Sequence, residues 1–241
     1  MKRKLYLIPL FALYLINNSC NSEDQFTPSS IIKCSEGKFA LFSEADSLLV
    51  IEFENAIFGE GWKLVRDLSE VSGEGYMRWE GDNNFSNPGK GIANYNLKIS
   101  NPGTYRFIWK SAVTEGESPS EGNDSWLRFP DADDFYGKKP DGSLVYPNGS
   151  GKSPNPHGAS KDGWFKIYRS GTPLTFKWQS RTSDNDAHMI YVKFNNPGIY
   201  KMEVSGRSYG HAIDKFVMYQ EEAYTQNQVT EAEELSKVSC N

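Results

Sequence analysis

The phrase Asn-Pro-Gly-x-Tyr occurs twice, at 101–105 and 196–200, each time between two segments in which apolar and polar residues alternate. Pro followed by Gly suits a type II turn, and period-two alternation is the pattern of a strand with one buried face. Two such units predict two antiparallel hairpins, and the lack of further copies argues against a repeat array. Comparable runs lie at 48–54, 92–99, 104–112, 125–129, 164–169, 174–181, 188–194, 199–205 and 212–219, and no segment before residue 220 has a helical period. Composition agrees: 14% of residues are aromatic, and the chain holds 21 Gly and 12 Pro, a balance that favours strands and turns. The expected fold is all-β, an antiparallel sandwich of jelly-roll type. It carries one long loop insertion at 113–163 and a short acidic helix at 230–238. The insertion interleaves Trp126, Phe129, Phe135, Tyr136 and Tyr146 with Gly, Pro and Asp, which argues against plain disorder.

The first twenty residues form a separate unit. Lys2, Arg3 and Lys4 precede an apolar run that turns polar at Asn17 and stops at Cys20, which reads as a secretory leader. A small residue followed by cysteine resembles the bacterial lipoprotein signal, which implies cleavage after residue 19 and a lipid on Cys20. Ser22, Glu23 and Asp24 resemble the acidic export signal of Bacteroidetes surface lipoproteins. The expected organisation is thus a leader at 1–19, a polar tether at 20–33 and one domain at 34–241. The expected location is the outer membrane or cell surface, reached through the lipid anchor. Losing the three basic leader residues takes the formal charge from −5 to −8, which excludes nucleic acid as a natural partner. Cys34 and Cys240 remain, one near each end of the domain in an oxidising compartment. A disulfide is the favoured reading, with two buried thiols as the alternative.

Few residues carry chemistry. There is no Gly-x-Ser-x-Gly, only His157, His188 and His211, and no His-Cys cluster with zinc spacing. Acids are numerous, and Asp131, Asp133 and Asp134 are the obvious candidates for a glycosidase pair, although a charge run in a loop is more commonly a solvated surface. Glu52 and Glu54 alternate onto one face of the first main strand and Asp214 lies in the last. If those strands are neighbours, three carboxylates meet the demand of a hard cation such as calcium for several oxygens; an ordinary acidic face is the competing reading.

Residues 50–56 (Val-Ile-Glu-Phe-Glu-Asn-Ala), 91–105 and 210–219 (Gly-His-Ala-Ile-Asp-Lys-Phe-Val-Met-Tyr) together resemble carbohydrate-binding modules of families 6 and 35. The resemblance spans about 47–219. It implies a calcium-containing β-sandwich, with a structural calcium on Glu52, Glu54 and Asp214 and a sugar site in the loops at one end. The chain departs from the pattern in its 113–163 insertion and at His211-Ala212, where an asparagine is common in the family. Sugar rings need flat aromatic faces with planar polar groups beside them. Three loops hold such groups: Trp79, Asp82 and Asn83; Asn123, Asp124 and Trp126; Arg207, Tyr209 and His211. The expected ligand site is Trp126, Arg207, Tyr209 and His211 with Asp82, Asn83 and Asp124 as polar partners, while Arg181 and His188 flank the same pocket. Trp109 and Trp178 alternate with apolar residues and read as core. The functional expectation is non-catalytic binding of a polysaccharide or oligosaccharide at the cell surface, with surface glycan-degrading enzymes as further partners. The alternatives are a glycoside hydrolase or polysaccharide lyase working through the acidic loop, and an adhesion or assembly protein.

Overall fold

Along Ala93–Ile99 the residues Ala93, Tyr95, Leu97 and Ile99 are buried, and Asn94, Asn96 and Lys98 between them are not. Alternation in the sequence has become inside and outside of a sheet. The computed structural model describes residues 32, 34–115, 118 and 120–241. The leader, Cys20 and all of the tether except Ile32 lie outside the described residues. Two layers of strands face each other. The first runs Lys237–Cys240, Ala40–Ser43, Ala93–Ile99, Gly198–Gly206, Asp124–Arg128, Trp164–Tyr168. The second runs Leu48–Glu52, His211–Tyr219, Gly103–Val113, His188–Phe194, Asp134–Lys138, Leu144–Val145. Within these layers the pairs are antiparallel except Ala40–Ser43 against Ala93–Ile99, which is parallel. The two-residue strand Arg181–Thr182 pairs with both Tyr168 and His188, stitching one layer to the other. Leu97, Leu127 and Phe165 from the first layer meet Phe107, Ile190 and Phe216 from the second in one core. Burying each such side chain stabilises the fold by roughly 1.5–3 kcal/mol.

The repeated Asn-Pro-Gly-x-Tyr phrases do not make hairpins. Ala93–Ile99 and Gly103–Val113 belong to different layers, and so do His188–Phe194 and Gly198–Gly206. Each phrase is a corner between layers, braced by its tyrosine: Tyr105 donates its hydroxyl to the Asn101 carbonyl at 2.6 Å, and Tyr200 to that of Asn196 at 2.8 Å. Turn chemistry supplied the bend, but which layer the next strand joined was decided by the core it had to cover.

Three further expectations change. The helix is Gln226–Thr230, not 230–238, because Thr225 and Gln228 form a capping box one turn earlier. The chain then straightens, with Ser236 bonded through both backbone and hydroxyl to Val50. Lys237–Cys240 completes the first layer, where Cys240 lies opposite Ala40 and is joined to Cys34 in a disulfide. The insertion at 113–163 is loop over most of its described length, but short strands beyond the expected 125–129 interrupt it, at Asp134–Lys138, Leu144–Val145 and Ser160–Lys161. Asp134–Lys138 extends the second layer, stacking Tyr136 on Tyr191 at 5.7 Å between ring centres. Finally, 174–181 forms only short pairings at Lys177–Trp178 and Arg181–Thr182. Trp109 is fully buried, whereas Trp178 is half-buried on the outer face of the second layer.

Candidate functional site

At one end of the sandwich three loops are locked together by backbone bonds. Gly210 donates its N–H to the Trp79 carbonyl at 2.9 Å, and its own carbonyl takes both the N–H and the hydroxyl of Thr114. Its φ of +84° is a left-handed conformation, and a Cβ there would stand 2.6 Å from that of Glu115, so only glycine lets the loops close up. Asn83 accepts the Tyr209 N–H at 2.8 Å, and Asn84 donates its N–H to the Arg207 carbonyl at 2.7 Å. Gly206 lies flat against the Trp79 indole, where a Cβ would meet ring carbon at 2.1 Å. These contacts fix the walls of a groove of about 1250 Å³.

Of the residues expected to bind ligand, the groove brings together Asn83, Asp124, Arg207 and Tyr209. Tyr209 is 45% exposed. The Arg207 guanidinium is paired with the Asp124 carboxylate and lies between the rings of Phe85, at 5.0 Å, and Trp126, at 5.1 Å. Ser208 donates its hydroxyl to the other Asp124 oxygen. Asp124 and Arg207 are thereby rigid, with a hydrogen-bond acceptor and donor held side by side.

Three expected residues are corrected. Trp126 offers no platform: it is 1% exposed, with Arg207 over one face and its indole N–H donated to the Asn84 carbonyl at 2.9 Å. The loop from 82 to 90 folds onto this tryptophan. His211 is fully buried, because the last strand begins at His211 itself and that side of the strand faces inward. Its Nδ1 stands 2.8 Å from Ser125 Oγ, and burial first, then the positive charge of Arg169, pushes its pKa down to about 3. Asp82 is exposed but outside the groove, and its carbonyl serves Trp79 and Asn84. Arg181 and His188 do not line the groove; His188 is buried, its Nδ1 2.6 Å from the Asp186 carbonyl. The acidic loop is structural in its contacts. Asp131 accepts the Lys201 N–H, Asp133 that of Asn195, and Asp134 pairs with Lys152.

The groove also contains residues that the sequence reading passed over. Phe85 is 52% exposed, and an aromatic standing alone in a loop of Asn, Ser, Pro and Gly was the available signal. Lys166 and Tyr168 alternate with buried Phe165 and Ile167, so their shared outward face was readable. Asp184, which pairs with Lys166, comes from the turn after Ser183 and had no signal of its own.

Glu52, Glu54 and Asp214 are all buried at the junction of the first and last main strands, against the loop at 72–74. Ser72 donates its hydroxyl to Glu52 and its N–H to Asp214, and Glu74 donates its N–H to Glu54. Lys215 pairs with Glu52 at 3.4 Å and Lys110 with Asp214 at 3.0 Å. Burial raises the pKa of all three acids, that of Glu54 to about 8. The donor set suits a hard cation, since three carboxylates face two ammoniums and Glu54 Oε2 is buried with no partner. As placed, however, no three His, Cys, Asp or Glu side chains among the described residues converge on one metal position.

No protein-family model and no curated protein matches the chain. Several solved structures are. A family 35 carbohydrate binding module from Clostridium thermocellum is 14% identical, over 72% of this chain and 98% of that one, with a TM-score of 0.42. A family 6 module from Clostridium cellulolyticum in complex with xylose is 13% identical, over 71% of this chain and 96% of its own, at a TM-score of 0.37. A β-(1,4)-mannanase from Podospora anserina is 11% identical over 76% of this chain, at a TM-score of 0.44, and this chain spans only 29% of its length.

Proposed function

We propose that this chain binds a polysaccharide or oligosaccharide without cleaving it, through the groove between the loop at 82–90, residues 120–123 and the turn at 207–210. The observation that carries the reading is the placing of two exposed aromatic rings, Tyr209 and Phe85, around the fixed Asp124–Arg207 pair. A ring face takes the C–H side of a pyranose while the pair reads its hydroxyls. The sequence resemblance to carbohydrate-binding modules supports the same reading. Titration of Tyr209→Ala against the best ligand from a glycan array tests it. The variant should lose on the order of 1–3 kcal/mol of binding energy while its circular dichroism is unchanged, and wild-type affinity in a folded variant refutes the site.

The proposal extends to anchoring and metal. A lipid on Cys20 would hold the domain at the bacterial surface, near enzymes that degrade the same glycan. Calcium on Glu52, Glu54 and Asp214 would hold in the charged form carboxylates that burial otherwise pushes toward the neutral one; binding requires the three side chains to turn toward one another. Millimolar calcium should then raise the melting temperature and a chelator should reverse it. Identical melting curves in both refute the calcium.

A further inference from the structure

Beside the Asp124–Arg207 pair the same groove holds a second one, on the neighbouring strand, where Tyr168 is paired with Asp124 and Lys166 with Trp126. Lys166, whose side chain is 5% exposed, projects from the outer face of the first layer and pairs with Asp184, whose carboxylate is 54% exposed. Lys166 also lies over the Tyr168 ring, 5.2 Å from its centre, as Arg207 lies over Phe85 at 5.0 Å. Each unit is thus a cation on an aromatic ring, held by a carboxylate that lines the groove, Asp184 open to it and Asp124 largely buried. A fixed acceptor beside a fixed donor complements two neighbouring hydroxyls, one donating to the carboxylate and the next accepting from the cation.

We propose that Lys166, Tyr168 and Asp184 form a second sugar subsite beside the first, so that the groove reads successive units of one uncharged glycan chain. The inference rests on the carbohydrate reading above and adds the length and charge of the ligand. Two recognition units in one cavity of about 1250 Å³ have room for a chain segment, which a single terminal sugar would leave half empty. Charge selects against acidic sugars. Both cations of the groove are already matched by Asp124 and Asp184, and the lining adds Glu115 and Glu121. Arg78 stands 3.4 Å from Glu115, which offsets one of those two charges and leaves the groove negative. A uronate or sulfated glycan meets that field without a free cation to bind it.

The test is calorimetric titration of the domain with uncharged oligosaccharides of two and of five units from the array's best class, and with penta-galacturonate as the acidic probe. The variants are Asp184→Ala and Asp184→Asn, with Tyr209→Ala as control; Asp184 is exposed enough that both changes should fold, and thermal melts check it. Wild type should bind the pentamer at least tenfold more tightly than the dimer. Both Asp184 variants should lose most of that gain and keep the dimer affinity, and penta-galacturonate should bind more weakly than the neutral pentamer, by a margin that shrinks with salt. If Tyr209→Ala abolishes binding while the Asp184 variants bind the pentamer like wild type, the groove stands and the second subsite falls. If penta-galacturonate binds more tightly than the neutral pentamer, the charge selection falls. If wild type binds no glycan, both readings fall.

Discussion

His211 makes this fold acid-sensitive, and the size of the effect can be worked from its surroundings. The ring is fully buried against Trp109, with Ser125 Oγ at its Nδ1 and nothing at its Nε2. A proton added there would create a charge in an apolar layer near the Arg169 guanidinium, which is why the pKa falls from 6.5 to about 3. The unfolded chain therefore takes up this proton before the folded one does. The stability due to neutral His211 is complete above about pH 6.5 and is lost as pH falls toward 3. One proton costs about 1.4 kcal/mol per pH unit over that window, or about 2 kcal/mol at pH 5. Urea unfolding at pH 7.5 and pH 5.0 measures it, in wild type and in His211→Gln. The variant will be less stable at both pH values, because glutamine cannot fill the imidazole's place. Its loss between the two should nevertheless be smaller than that of wild type by about 2 kcal/mol, since His157, His188 and the carboxylates are common to both proteins. Equal losses in the two proteins, or an imidazole resonance for His211 titrating near its ordinary value, would refute the argument.

Three more predictions concern what holds the layers together. Replacing Cys34 and Cys240 by serine opens a link between residues 206 apart, which in the loop-entropy model costs about 5 kcal/mol, read from the urea midpoint. Unreduced peptide mapping should recover the linked pair, and two free thiols would refute it. Gly206→Ala drives a methyl group into the Trp79 indole and should destabilise by about 1–3 kcal/mol; an unchanged melting temperature would refute the close contact. Tyr105→Phe and Tyr200→Phe each delete a corner hydrogen bond to a separate acceptor and should each cost about 1 kcal/mol by urea unfolding, with any departure from additivity in the double variant reporting on Phe194, against which both rings pack.

How far the sequence could be read depended on whether a signal was local. Strands such as Ala93–Ile99 and His188–Phe194 were legible because one buried face imposes alternation within the strand itself. Ala40–Ser43 and Lys237–Cys240 were not, since each is short and acquires its meaning from a partner at the opposite end of the chain. The two Asn-Pro-Gly-x-Tyr phrases show the same limit. The bend is written in the residues, yet hairpin and corner differ only in what the following strand packs against.

The groove divides along the same line. Asn83, Asp124, Arg207 and Tyr209 could be grouped because loops at one end of a sandwich converge whatever their sequence. Whether a side chain in those loops meets solvent was another matter. His211 stands two residues from exposed Tyr209, and starting the strand at His211 was enough to turn it into the core. Trp126 has the composition of a sugar platform, but the 82–90 loop lies over it and Arg207 takes its face, so the aromatic surface left to a ligand is that of Phe85 and Tyr209. Lys166 and Asp184 are 18 residues apart and meet only because Arg181–Thr182 crosses between the layers and brings its following turn over the Trp164–Tyr168 strand. An ion pair between a sheet face and a distant turn has no spacing rule in the sequence to betray it, because only the fold brings its two members together.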